Sequence, residues 1–218
     1  RGNGAQQRDY LYIDDVVELY LNIGESLSNS SSELAGEIFN AGTGKPISVM
    51  DAINAGCKMI EVDIQRSDEG FICNHDAFVD GILSINMSNS ECKKRGILLF
   101  GELSEIANQY RDVVFLFDCK FPIQYTNSFY KVSSILFKNY IIGSFYEHHL
   151  THHYSNKALI TSSIPLDYFN HQITTLEVNT IILYHNNVSR ELIDYLHRRG
   201  ITVYIYTVDD IVLCHYLC

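Results

Sequence analysis

The sequence predicts an α/β fold of repeated strand–helix units, with a short α/β segment ahead of them. Three observations point there. From residue 51 onward, apolar runs of strand length alternate with stretches of helical periodicity. One run, Val113-Val-Phe-Leu-Phe-Asp-Cys-Lys120, is apolar almost without a break, as suits a parallel strand covered on both faces. Glu61, Asp63, Asp118 and Lys120 stand near the ends of such runs. Alternation of this kind fits either a barrel or a doubly wound sheet.

The elements follow in order. Asp14 to Ile23 reads as a helix: Asp14 is an N-cap, and Val16, Val17, Leu19, Tyr20 and Ile23 have helical spacing. Ser26 to Ser32 reads as a serine-rich linker. Glu37 to Ala41 reads as a short strand, ending in the turn Gly42-Thr-Gly-Lys-Pro46. Asp51 to Lys58 is a helix tail with Gly56 near its end. Met59 to Gln65 and Phe71 to Asn74 are strands joined by the Asp68-Glu-Gly70 turn. Leu103 to Tyr110 and Asn127 to Lys138 are helical. Tyr140 to Ser144, Ala158 to Thr161, Thr180 to Tyr184 and Ile201 to Val208 are further strands. Ser189 to Arg199 is a helix closed by Gly200.

Composition narrows the function. A chain of 218 residues suffices for one domain or two small ones. Its formal net charge is -10 and its longest basic run is Lys93-Lys-Arg95, which argues against a nucleic-acid surface. A phosphorylated small-molecule substrate held through a metal remains compatible. The six cysteines form no CxxC pair, which argues against structural zinc. They read as reduced core thiols of a cytoplasmic protein. There is no signal peptide and no apolar run long enough to span a bilayer. The chain opens on Arg1 and closes on the apolar helix start Asp209 to Cys218, so a piece of a longer or fused chain is expected.

The chemistry concentrates in Met59-Ile-Glu-Val-Asp-Ile-Gln65 and Phe71-Ile-Cys-Asn-His-Asp76. Side chains alternate along a strand, so Glu61 and Asp63 share a face. Two acids on one buried face are costly unless something offsets their charge, and a bound cation is the simplest offset. At the carboxyl ends of barrel strands, Glu61, Asp63 and Asp118 would make an oxygen-rich site for Ca2+ or Mg2+. His75 would then serve as general acid or base, and Lys120 would contact a phosphate oxygen. His185, following the strand Ile181 to Tyr184, is a candidate substrate contact at the same mouth. The plainer reading is that these are strand-end charges facing solvent.

Ala55-Gly-Cys-Lys-Met-Ile-Glu-Val-Asp-Ile-Gln-Arg-Ser-Asp-Glu-Gly-Phe-Ile-Cys-Asn-His-Asp76 resembles the signature of the glycerophosphodiester phosphodiesterase family. Phe115-Leu-Phe-Asp-Cys-Lys120 is similar to that family's Glu-x-Lys strand, with Asp118 in the glutamate position. Gly143-Ser-Phe145 is similar to its Ser-Phe strand end, and Val203 to Asp210 to its late strand, with Tyr206 in the tryptophan position. The resemblance covers residues 51–218. It implies a TIM-barrel-like fold that hydrolyses glycerophosphodiesters with a divalent cation. In it Glu61, Asp63 and Asp118 are metal ligands, His75 and Lys120 catalytic residues, and Lys120 also a phosphate contact. No His-Arg-Gly precedes Glu61, so the family's second histidine and its arginine are missing. The barrel is therefore expected to be incomplete, lacking its first and last strands, and its activity is in question.

Residues 1–50 resemble something else. Gly2 to Val17, with Arg8-Asp-Tyr-Leu-Tyr-Ile-Asp-Asp-Val16 inside it, and Gly36 to Lys45 are similar to the carboxyl-terminal part of NAD-dependent nucleotide-sugar epimerases and dehydratases. The resemblance places Arg8 near the sugar-nucleotide phosphates. The dinucleotide fingerprint and the Tyr-x-x-x-Lys pair of that family are absent, so no nicotinamide cofactor is expected here. Two alternatives to the hydrolase follow: an epimerase or dehydratase fragment, and a non-catalytic fusion remnant or binding domain. His148, His149, His152 and His153 have zinc-like i/i+4 spacing, but read as a partly exposed helix start. Ser162 and Ser163 read as strand-end polar residues.

Overall fold

The computed structural model describes residues 7–8, 13–28, 47–150, 155–162, 173–206 and 208. The expected strand at Glu37 to Ala41, the turn after it, the helix start at Asp209, and His152, His153 and Ser163 lie outside these residues.

In chain order the strands are β1 (Gln7–Arg8), β2 (Ile47–Ser48), β3 (Met59–Arg66), β4 (Phe71–Cys73), β5 (Phe78–Val79), β6 (Ile82–Leu83), β7 (Leu98–Leu99), β8 (Val114–Cys119), β9 (Tyr140–Ser144), β10 (Lys157–Thr161), β11 (Thr180–Tyr184) and β12 (Thr202–Tyr206). The helices are α1 (Ile13–Ser28), α2 (Val49–Asn54), α3 (Asn89–Lys94), α4 (Phe100–Ala107), α5 (Thr126–Leu136) and α6 (Arg190–His197). None of the described helices is long and apolar enough to cross a membrane.

Local chemistry explains the helix limits. Ser48 and Ser88 each form a reciprocal capping box, with Asp51 and Glu91 respectively. Gly56, with φ at +105°, turns the chain out of α2 into β3. The expected linker at Ser26 to Ser32 is corrected in its first part: α1 runs on to Ser28. There the Ser26 and Ser28 hydroxyls donate back to the Asn22 and Gly24 carbonyls, so serine satisfies itself within the helix instead of breaking it.

Among the described residues the main sheet has eight strands in the order β12-β11-β10-β9-β8-β3-β4-β7. The six from β3 to β12 are mutually parallel, while β4 runs antiparallel to both its neighbours. The parallel strands follow one another in chain order and never reverse. A doubly wound sheet reverses its order at a switch point; a barrel does not, and this settles the choice between the two. One apolar cluster on the inner face contains Leu116, Ala158, Ile160 and Ile182, with Met59, Ile141 and Tyr206 against it. Every one of the six parallel strands contributes to it. The fold is an α/β barrel of TIM type, and among the described residues it is not closed.

The outer face is covered by helices. Ile64, Phe115, Phe117, Cys119 and Ile142 from the strands meet Phe100 and Leu103 of α4 and Phe129 and Tyr130 of α5. The core is unusually aromatic. The Phe129 ring lies within 4.8 to 5.9 Å of the Phe71, Phe100, Phe117 and Phe121 rings, in the edge and tilted geometries that aromatic pairs favour. Phe129→Ala is expected to lower the free energy of unfolding by about 3–5 kcal/mol, read from urea denaturation followed by circular dichroism.

Candidate metal centre

Pairing between β3 and β8 builds the site. Asp63 stands opposite Asp118, and Glu61 opposite Leu116. Strand alternation turns Glu61, Asp63, Asp118 and, just past β8, Lys120 toward the inside of the curved sheet. One carboxylate oxygen each from Glu61, Asp63 and Asp118 lies within 4.8 Å of the others. Lys120 closes the group: its Nζ lies 2.7 Å from Asp63 Oδ1 and 3.4 Å from Asp118 Oδ2. Its own backbone N–H donates to the Ile64 carbonyl, which extends the ladder and fixes the direction in which the side chain leaves.

The electrostatics reflect crowding of like charge. Desolvation, then the charges of Asp63 and Asp118, push the Glu61 carboxyl up to about 7, although its side chain is open to solvent from the mouth. Burial raises Asp118 as well, against the pull of Lys120. Desolvation works to lower Lys120, but the hydrogen bond to Asp63 and the charges of Asp118 and Asp63 outweigh it and raise the pKa. Asp118 is 4% exposed, and its Oδ1 is buried without a hydrogen-bond partner among the described residues. A buried oxygen of that kind calls for a ligand. Oxygens bound to one ion at 2.3–2.6 Å cannot lie more than about 5 Å apart, so the three donors fit a hard divalent cation.

His75 sits at the rim. The Asn74 N–H donates to the Asp63 carbonyl at 3.0 Å, and Gln65 Nε2 donates to the His75 carbonyl at 3.3 Å. Both hold the segment after β4 against the end of β3. The His75 ring is exposed, with Nδ1 at 2.8 Å from Asp76 Oδ1. An Nδ1–H donated to Asp76 leaves Nε2 of the neutral ring available for proton transfer. The positive charge of His75, when protonated, reaches Asp118.

His185 does not join the cluster. It follows β11, with its ring 4.6 Å from that of Tyr184 and its Nδ1 buried without a partner among the described residues. Tyr206 closes β12 at the same mouth: burial, Tyr184 and the charge of Asp118 raise its pKa.

The histidine stretch is corrected. Glu147–His149 is a single 3-10 turn, and His149 is 1% exposed. Its Nε2 lies 2.8 Å from the Phe121 carbonyl and its Nδ1 2.8 Å from Ser144 Oγ. A carbonyl only accepts, so Nε2 carries the proton and Ser144 donates to Nδ1. Both ring nitrogens are engaged and neither can bind zinc. Burial, with His148 beside it, lowers the His149 pKa to about 4. The pair is a clip between the ends of β8 and β9, and the sequence reading did not find it. The short Gly143-Ser-Phe145 strand end was its one trace.

No family model matches the chain, and no curated protein matches it. Solved structures do resemble it. A phosphodiesterase from Oleispira antarctica, in complex with the product sn-glycerol-3-phosphate, superposes with a TM-score of 0.67 at 16% identity, covering 77% of this chain and 79% of that one. A glycerophosphodiester phosphodiesterase from Thermotoga maritima gives 0.67 at 18% identity, over 77% and 80% of the two chains. One from Parabacteroides distasonis gives 0.66 at 14%, over 78% and 79%. The epimerase-like reading of residues 1–50 gains no support from these likenesses. At such identities the likeness shows the fold: this chain has the α/β barrel of glycerophosphodiester phosphodiesterases.

Two groups make stability depend on pH in opposite senses. A carboxyl raised from its ordinary value near 4.5 to about 7 keeps its proton in the folded state longer than in the unfolded one. The metal-free protein therefore loses stability as pH rises through that window. His149, lowered to about 4, stays neutral in the folded state and adds stability as pH rises toward 6.5. The Glu61 contribution is isolated by difference. Between pH 5 and pH 7 in EDTA, Glu61→Gln is expected to gain melting temperature relative to the unsubstituted chain, with the gap widening toward pH 7. An unchanged gap would mean that Glu61 titrates normally.

Proposed function

We propose that this chain is a metal-dependent phosphodiester hydrolase acting on glycerophosphodiesters, with residues 51–218 as the hydrolase-like unit. The observation that carries this reading is the convergence of Glu61, Asp63 and Asp118 within 4.8 Å of one another, with Asp118 and Lys120 at the carboxyl end of β8 and Glu61 and Asp63 on the parallel strand β3 beside it. Barrel enzymes place their chemistry at that end. Glu61, Asp63 and Asp118 would hold Ca2+ or Mg2+, and when bound the cation offsets the charge of the phosphate. Lys120 would exchange its contact with Asp63 for a phosphate oxygen. His75, oriented by Asp76, would protonate the departing alkoxide or take the proton of the nucleophile. His185 would line the substrate's path. The product bound by the Oleispira antarctica phosphodiesterase, sn-glycerol-3-phosphate, is the class of product this reading expects here.

A second reading is diester binding without turnover. It is favoured by the stretch ahead of Glu61, which carries no His-Arg-Gly.

Calorimetric titration with Ca2+ and with Mg2+ tests the site. Saturable binding is expected, weakened at least about tenfold in Glu61→Gln and Asp118→Ala, since each removes one of few oxygen ligands. Folded protein that binds neither ion would rule the site out. With glycerophosphocholine as substrate, His75→Ala is expected to cut turnover by about 100- to 10,000-fold and leave metal affinity unchanged. Metal and diester binding with no turnover in the unsubstituted chain selects the second reading.

A further inference from the structure

Pairing of β8 with β9 stops at Asp118, opposite Gly143. Pro122, four residues on, has no N–H with which to carry a ladder further. The carbonyls on either side of Lys120, those of Cys119 and Phe121, belong to buried residues and need donors. Side chains at and just past the end of β9 supply them. His149 Nε2 donates to the Phe121 carbonyl at 2.8 Å. Ser144 Oγ lies 3.2 Å from the Cys119 carbonyl and 2.8 Å from His149 Nδ1, so its one hydrogen is shared between the two acceptors. The Tyr146 N–H in turn donates to Ser144 Oγ at 3.0 Å. Ser144 and His149 are themselves buried, and the Phe121 ring is wedged 5.2 Å from the imidazole, 5.1 Å from Phe71 and 5.0 Å from Phe129. With the Lys120 N–H on the Ile64 carbonyl at 3.0 Å, the backbone is gripped at Cys119, Lys120 and Phe121 in succession. The side chain that gains is the lysine's. Lysine is a point charge on a flexible four-carbon stem, so where its ammonium can stand depends on how the backbone launches it. Here Nζ stands 2.7 Å from Asp63 Oδ1 and 3.4 Å from Asp118 Oδ2. Both ring nitrogens of His149 are engaged in the grip, so its influence on the site passes through the backbone it holds.

We propose that His149, together with Ser144, is a positioning residue for Lys120: it fixes the backbone on both sides of the lysine, so that Nζ is aimed at a phosphate oxygen of the bound diester. The inference rests on the phosphodiester reading above and adds to it a buried residue that touches none of the reacting groups.

The probe is sn-glycerol-3-phosphate, a ligand of the product class that is not turned over, titrated by phosphorus NMR with Ca2+ or Mg2+ saturating. His149→Ala is expected to weaken it about 10- to 100-fold, the range for residues that orient a functional group from behind, and to leave metal affinity, read by calorimetry, unchanged. His149→Gln is expected to restore most of the loss, because its amide N–H can reach the Phe121 carbonyl from the place of Nε2. A double-mutant cycle separates positioning from general support. In a Lys120→Met background His149→Ala is expected to change probe affinity by less than about twofold, since a residue that acts through another adds nothing once that other is gone. Should His149→Ala fail to fold by circular dichroism, Ser144→Ala is read by the same cycle. The same loss in both backgrounds, a matching loss of metal affinity, or no loss at all overturns the inference and leaves the phosphodiester reading intact. An unsubstituted chain that does not bind the probe removes the phosphodiester reading, and this inference with it.

Discussion

Three carboxylates held within 4.8 Å of one another repel, and the structure around them is what keeps them together. Neither acid strand can relieve the repulsion by sliding. β3 and β8 are paired through six successive residues, Met59 to Ile64 against Val114 to Cys119, and a slip of one residue would turn the acids outward and the outer apolar residues in. Lys120 supplies the positive charge within reach, and the Glu61 carboxyl, pushed up to about 7, answers the remaining strain by holding its proton. A divalent cation would do both jobs at once. That is what makes the group a candidate metal site.

The two faces of the same strands divide the labour. Along β8, Leu116 and Asp118 point inward, while Phe115, Phe117 and Cys119 face the helices. The inward face carries the acids, and burial of the outward face supplies the stability that crowded acids take away. The clip of Ser144, His149 and Phe121 joins the ends of β8 and β9, adjacent to Asp118 and Lys120. Its neutral histidine adds rigidity at the mouth without adding charge, which a site already rich in ionised groups needs.

Much of this was legible in the chain. The strand positions of Met59, Tyr140 and Thr180 emerged from apolar runs, because a buried parallel strand has no other pattern. Glu61, Asp63 and Asp118 could be grouped because spacing of two on a strand dictates a common face. The β5–β6 ribbon went unread, although Val79-Asp-Gly-Ile82 carries the Asp-Gly turn signal that marks a tight hairpin. Its flanking strands are only two residues each, too short for periodicity to register. The serines ending α1 were misjudged because their hydroxyls bond within their own helix.

By itself the sequence determined which residues can carry charge into a sheet, which faces they share, and that strands and helices alternate, since these follow from local geometry repeated along the chain. Tertiary structure alone decided the rest. Barrel rather than doubly wound sheet is a matter of strand order, and strand order is set by which apolar faces find one another across long stretches of chain. The meeting of Asp63 with Asp118, 55 positions apart by their numbers, depends on inter-strand register. The neutral state of His149 depends on a carbonyl 28 residues away. None of these can be computed from neighbours in sequence, because each arises from a contact that only the folded chain makes.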